Sequence, residues 1–358
     1  MFRIVESLAI ALFAATLLMF ILVLLVRVRL LLRERQRREF LAVWEPILMR
    51  SVEVAFSDVP HLRRRDLMNF LLLWNHLHES LLDEAKDHLN QIARALGIGD
   101  AALRMLRRRN LRERLLAIMT LGQLRERAAW DSLFDIAENG GALLSVAAAR
   151  ALIMIDAVVA IPRLMPLLIR RADWPASRVA TLLQTAGADV ISEQIATAAI
   201  EYAREHDIAD GGCLPQGQTV NRSARLIRFL ELAYNVSALP AARAIAESSN
   251  DPEVLAACLQ LLKSSEDLSI VRHSLTHKDW RVRVQAASAM GRIGEHDDEQ
   301  LLVPLLSDEQ WWVRYRAAQA LTRLPYMREP RLREIRALQA DPFARDILLQ
   351  AMAEVELQ

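Results

Sequence analysis

Residues 277–294 read HKDWRVRVQAASAMGRIG, and residues 308–325 read DEQWWVRYRAAQALTRLP. Each stretch sets an acid, a tryptophan, a valine and an arginine ahead of a run of small residues. In the first these are Asp279, Trp280, Val282, Arg283 and Ala286-Ala287-x-Ala289; in the second, Asp308, Trp311, Val313, Arg314 and Ala317-Ala318-x-Ala320. With Val282 and Val313 as reference points, counterparts fall at Leu111, Leu144, Ser177, Asn221, Val254 and Ala344, mostly 28–33 residues apart with one gap near 44. A phrase that recurs at such a period marks a stack of supersecondary units, each burying its apolar face only against its neighbours.

Each unit reads as two helices. The phrase is the second, because apolar or small residues at i, i+4, i+7 and i+8 form one face of a helix. Small residues there let neighbouring helices come close. A first helix runs between phrases, as at 157–171, 238–248 and 298–308, with prolines early in it (Pro162, Pro240) or inside it (Pro166, Pro304). An aspartate recurs at the turn into the second helix (Asp173, Asp251, Asp279, Asp308, Asp341), where a carboxylate accepts from N–H groups left open at a helix start. No sustained period-two alternation points to strands.

The pattern D-x-x-V-R-x-x-A-A-x-A at 279–289 and V-R-x-x-A-A-x-A-L at 313–321 resembles the HEAT-repeat family, in a form shorter than its usual period of roughly 40–47 residues. The resemblance is strong over 250–345 and weaker over 105–235. It implies an all-α, right-handed α-solenoid of about seven to eight helix pairs over 105–358, with a loop insertion at 201–219. It further implies that Arg112, Arg178, Arg283, Arg314 and Arg345 form a ladder, each bonding an aspartate or carbonyl of its own or the next repeat. A solenoid of this kind offers an extended surface for a protein partner.

Residues 8–26 carry no charge over 19 positions, the length of a helix that crosses a hydrocarbon core of roughly 30 Å. Arg27, Arg29, Arg33, Arg35, Arg37 and Arg38 follow directly. The expectation is a single-pass transmembrane anchor at 1–26 and a basic, lipid-proximal juxtamembrane helix at 27–39. The positive-inside rule then leaves the N-terminus outside and the solenoid in the cytoplasm, at an inner membrane. Residues 40–104 lack the phrase but keep a helical apolar face (Leu67, Phe70, Leu71, Trp74, Leu77, Leu81, Leu82) and read as a helical cap.

Net charge is +1, with 45 basic residues of which only Lys86, Lys263 and Lys278 are lysines. Near neutrality argues against a nucleic-acid binder, although that remains one alternative reading. Cys213 and Cys258 have neither metal-ligand spacing nor a disulfide framework. His76, His78 and Glu79 crowd the cap, but not as His-Glu-x-x-His. The HEAT-like deoxyhypusine hydroxylases hold a di-iron centre on several His-Glu pairs, and here only His78-Glu79 has that order. A metal- or cofactor-dependent enzyme built on this cap is the second alternative; no cofactor and no catalytic residue are assigned. The arginine run 104–114 reads either as a solvated helix face paired to carboxylates or as a contact for an acidic partner or lipid headgroups. Trp174, Trp280, Trp311 and Trp312 all sit at the turn between helices, where stacking lines them along one edge. They serve either as binding hot spots or as packing between repeats, with Trp312 the one expected at the surface. The function expected is a membrane-anchored scaffold that binds a protein partner, with an envelope polysaccharide biosynthesis or transport complex as the finer reading.

Overall fold

Small side chains at helical spacing dictate the architecture, and the computed structural model shows how. It describes residues 2–53, 59–81, 83–209, 222–325 and 327–356, without the side chains of 2–15, 33, 52–53, 83–84, 206–209 and 356. Every regular element among them is helical. The chain divides into two compact units, 1–137 and 138–358.

The first unit begins with α1 (Phe2–Glu53) and continues through α2 (Leu67–Ser80), α3 (Asp83–Ala95), α4 (Ile98–Leu106) and α5 (Leu111–Gln123) into α6 (Trp130–Asn139). Phe40, Trp44 and Leu48 lie one turn apart on α1 and are buried, the Trp44 ring meeting Phe70 of α2 edge-on at 5.1 Å. On α2 the indole of Trp74 donates to the Leu89 carbonyl of α3 at 3.1 Å, and Asn75 donates to the Thr120 hydroxyl of α5 at 3.0 Å.

The membrane span expected at 8–26 is corrected: among the described residues no helix is long and apolar enough to cross a bilayer. The side chains of 8–15 lie outside the described residues. The stretch Leu17–Leu32 of α1 does leave many large apolar side chains exposed. Nor is 27–39 a separate juxtamembrane element. It is the middle of α1, with Arg27, Arg29, Arg35, Arg37 and Arg38 exposed and the Arg33 side chain outside the described residues. Two of these arginines bond within the helix, Arg35 to Glu39 at 3.0 Å and Arg38 to Glu34 at 2.6 Å.

The second unit is a run of helix pairs: α7 (Ala142–Ile155), α8 (Ala157–Arg170), α9 (Ala176–Ala186), α10 (Ala188–Ala209), α11 (Arg222–Phe229), α12 (Asn235–Ser248), α13 (Pro252–Leu261), α14 (Leu268–Ser274), α15 (Trp280–Ile293), α16 (Glu299–Leu302), α17 (Trp311–Arg323), α18 (Glu329–Leu338) and α19 (Pro342–Glu356). At each described reference point the recurring phrase opens a helix; Asn221 lies outside the described residues. Second helices stack on second helices, α13 on α15, α15 on α17 and α17 on α19, while α8, α10 and α12 stack on the other side. The phrase residues fill the interface: Val282, Ala286, Ala289 and Met290 on α15, and Val313, Ala317, Ala320 and Leu321 on α17, are all buried.

Three expectations shift. In α5 the buried face is Leu116, Ala117, Thr120 and Leu121, and in α9 it is Val179, Leu182, Leu183 and Ala186, so reference points 111 and 177 fall on exposed residues. The helix expected at 298–308 is one α-turn followed by a 3-10 segment, Val303–Ser307, because Pro304 brings no N–H to an α-ladder. The part of the expected loop at 201–209 is helical, the end of α10; 210–219 lie outside the described residues.

Gly291 marks a close backbone approach of two repeats. A Cβ there would lie 3.0 Å from the Ala320 Cα of α17. Gly291→Val is expected to wedge α15 from α17 and cost about 1–3 kcal/mol, read as a lower midpoint in denaturant unfolding of the full chain. An unchanged midpoint would show that the interface tolerates wider spacing.

Candidate functional site

Arginine–carboxylate rungs position the second helices. Arg283 on α15 donates Nε to Asp308 Oδ2 at 2.7 Å and Nη2 to Oδ1 at 2.9 Å, across the boundary to the next repeat. Its Nη1 donates to the carbonyls of His277 and Lys278 in its own turn, at 2.8 and 3.1 Å. One repeat on, Arg314 donates to Asp341 Oδ2 at 2.9 Å and to the Asp308 carbonyl. The same aspartates hold their turns: Asp308 accepts from Gln310 N at 2.8 Å and Asp341 from Phe343 N at 2.9 Å. Asp251 and Asp279 do likewise for Glu253 N and Arg281 N, both at 2.8 Å. The Arg281 guanidinium bonded to Asp279 holds that carboxyl below its usual range. Asp173 departs from the pattern and pairs with Arg171 at 2.6 Å.

The ladder is narrower than expected on the second helices and has a counterpart on the first. Arg112, Arg178 and Arg345 are exposed and make no such rung. A second ladder instead joins Arg243 to Asp267 at 2.8 Å and Arg272 to Asp298 at 2.7 Å. Both acids are almost fully buried. Each also accepts a backbone N–H, from Ser264 at 3.0 Å and from Glu295 at 2.8 Å. Arg331 reaches back to Glu299 at 2.6 Å. Arg292 caps the end of α13, donating to the Leu259 carbonyl at 2.9 Å, where a helix C-terminus favours a cation.

These rungs bring the N-terminal ends of α15, α17 and α19 to one edge, and aromatic rings stand there. Trp280 is 38% exposed, Trp311 51%, Trp312 53% and Phe343 71%. Trp280 and Trp311 occupy equivalent first positions of their helices, and Trp312 and Phe343 the positions after. Trp311 lies parallel on Tyr315 with ring centroids 5.2 Å apart, and Trp312 meets Trp311 edge-on at 4.8 Å. The Tyr315 hydroxyl is fixed by Glu354 of α19, with 2.9 Å to Oε2. The rings are therefore presented to solvent on a braced support. Phe343 and the Tyr315 brace were not singled out in the sequence; their positions in the repeat phrase were the available signal.

Trp174 does not join this edge. It is 1% exposed, its indole N–H donates to Ser145 Oγ at 3.0 Å, and the Arg171 guanidinium lies 5.8 Å from the ring centroid. It is a core residue of the α7–α9 packing, so the sequence grouping of four tryptophans is corrected to three.

The cap histidines do not converge. His76 is exposed while His78 is buried, packed 4.9 Å from the Trp74 ring; Glu79, on the next position, is exposed. Among the described residues no three His, Cys, Asp or Glu side chains form a metal-holding group. Burial pushes the Cys258 thiol up to about 12, so it is not a nucleophile at neutral pH; Cys213 lies outside the described residues.

Two stability predictions follow from these placements. Asp308→Asn keeps an acceptor for Gln310 N but removes the charge that Arg283 needs, and is expected to cost roughly 3 kcal/mol, at the low end for breaking a buried pair. In a double-mutant cycle with Arg283→Met the two losses are expected to be less than additive by about 1–3 kcal/mol; additive losses would show that the rung contributes nothing. His78 concerns pH. Burial first, then Lys86, depress its pKa below 6.5, so the folded state resists its protonation while the unfolded chain does not. Its contribution is complete above the unfolded value of about 6.5 and is lost as pH falls from there through the depressed folded value. His78→Leu is expected to flatten the stability–pH curve in that window, and an unchanged slope would assign the titration elsewhere.

Comparison with known proteins agrees with this geometry. Residues 239–322 and 268–353 match a family model described as HEAT repeats. No curated protein matches the sequence. Among solved structures, Kap121p is similar in fold, with a TM-score of 0.51 at 13% identity, over 87% of this chain and 37% of that one. This chain thus spans little more than a third of that protein's length, and at such identity the likeness concerns the fold alone. An engineered protein aligns over 86% of this chain and 88% of its own at 16% identity, with a TM-score of 0.35. The matched stretch, 239–353, is built of HEAT repeats, in an all-helical chain of solenoid-like fold.

Proposed function

We propose that this chain is a scaffold that binds a protein partner along the edge formed by Trp280, Trp311, Trp312 and Phe343. The observation that carries the reading is the exposure of these four rings at corresponding positions of successive repeats. Exposed tryptophan on a rigid support is what an interface hot spot requires: large contact area with little rotamer freedom left to lose. Stacked helices lie about 8–10 Å apart, and an extended chain rises roughly 3.3 Å per residue. A partner segment lying across the edge would therefore offer a side chain to a new repeat about every third residue.

The enzyme alternative rested on His76, His78 and Glu79 acting together, and they face different ways.

Replacing Trp280, Trp311 and Trp312 together with serine is expected to abolish crosslinked capture of the partner from cells while changing the melting temperature little, since exposed substitutions fall within about 0.5 kcal/mol each. A control of Leu143→Ser with Val158→Ser, exposed apolar residues away from the edge, should leave capture intact. Capture that survives the triple substitution, or loss of capture accompanied by early melting, would remove the edge from the binding surface.

A further inference from the structure

In the arginine run 104–114, Arg109 and Arg112 are exposed and lie outside the groove described below. Arg108 is paired, donating to Glu113 at 2.7 Å, as a structural reading requires. Arg104, Arg107 and Arg114 are different. They line one groove of about 580 Å³ within the first unit, together with Leu103, Leu106, Ala128, Ser132, Asp135 and Ile136. None of the three makes an ion pair or a side-chain hydrogen bond among the described residues, whereas most arginines of the repeat ladders are bonded in full view. The C-terminal end of α4 accounts for cations at Arg104 and Arg107, because the helix dipole favours them there. It does not account for Arg114, which stands on α5 with its Nε buried and without an acceptor. A charged donor shut from water and left unbonded is costly unless something supplies the acceptor.

We propose that this groove binds a small phosphate-bearing ligand. Three guanidiniums and a single carboxylate, Asp135, line the groove, and guanidinium N–H groups match the oxygens of a phosphate two at a time. The Ser132 hydroxyl adds a neutral donor. Leu103, Leu106 and Ile136 give the groove an apolar wall, so the body attached to the phosphate need not be charged. The volume lies in the range of about 300–1,000 Å³ common for small-ligand sites. A phosphate of this kind comes from a soluble metabolite or from a lipid headgroup, and the chemistry that recognises it is the same.

The test uses the full chain. Inorganic pyrophosphate, adenosine diphosphate and phosphatidylcholine vesicles with or without phosphatidic acid serve as probes, with binding read by titration calorimetry and by vesicle co-sedimentation. Saturable pyrophosphate binding is expected, tighter for the diphosphate that carries an organic body. Arg114→Met should weaken it roughly 10–100-fold, the loss of one charge-assisted contact. Arg104→Met with Arg107→Met, at exposed positions that leave the fold undisturbed, should weaken it comparably. Binding confined to phosphatidic acid vesicles, and lost in both variants, supports the same site with a lipid headgroup as the source. Absence of binding to every probe, or binding that both variants retain, overturns the proposal.

Discussion

In the C-terminal repeats each rung ties a guanidinium on one helix pair to a carboxylate that also organises the turn of the next. Asp308 accepts from Arg283 of the preceding repeat and from Gln310 N of its own; Asp341 does the same for Arg314 and Phe343 N. A buried charge is tolerable only when paired and fully hydrogen-bonded, so the start of each second helix is placed by the repeat before it. The second ladder imposes the same condition on the first helices through Asp267 and Asp298. Hydrophobic contact between alanine-rich faces supplies the adhesion, but it is tolerant of sliding. The rungs set where along the face the helices stop.

That division explains what could be read from the sequence. The phrase combines a buried face, a capping acid and a ladder arginine at fixed offsets, so wherever all three are present, at 282 and 313, register and rung are both legible. Where the acid is missing, as ahead of Arg112, or is engaged elsewhere, as Asp173 is by Arg171 ahead of Arg178, aligning on the arginine displaces the buried face by about half a turn. The first-helix ladder went unread because Arg243 and Arg272 carry no shared neighbours that mark them, and their partners are the last residues of short 3-10 turns of variable sequence. Trp174 was misplaced because a turn position alone does not tell whether a ring points outward; the Ser145 hydroxyl that receives its N–H is 29 residues away. At the other extreme, the uncharged run at 8–26 looked decisive by length, yet among the described residues no helix is long and apolar enough to cross a bilayer.

The two candidate surfaces differ in kind. The aromatic edge belongs to the repeats and exists only because several of them stack: no single helix pair carries more than part of it. The arginine groove belongs to α4, α5 and α6 of the first unit and owes nothing to the repeat phrase. One surface suits a long partner with apolar side chains, the other a compact anion. The chemistry of each follows from what its surroundings leave unsatisfied, apolar area in one case and charged donors in the other.

A rung that spans two repeats also constrains how such a chain can change over evolutionary time. The repeat of α17 carries the receiving half of one rung, Asp308, and the donating half of the next, Arg314. Duplicating or deleting a whole repeat joins a donor to a receiver again and leaves every buried carboxylate matched. A change in length that cuts within a repeat leaves one half-rung buried without its mate. The array is therefore free to lengthen or shorten only in whole units, and insertions that respect this rule fall outside the rungs, as the long spacing between the phrases at 177 and 221 does.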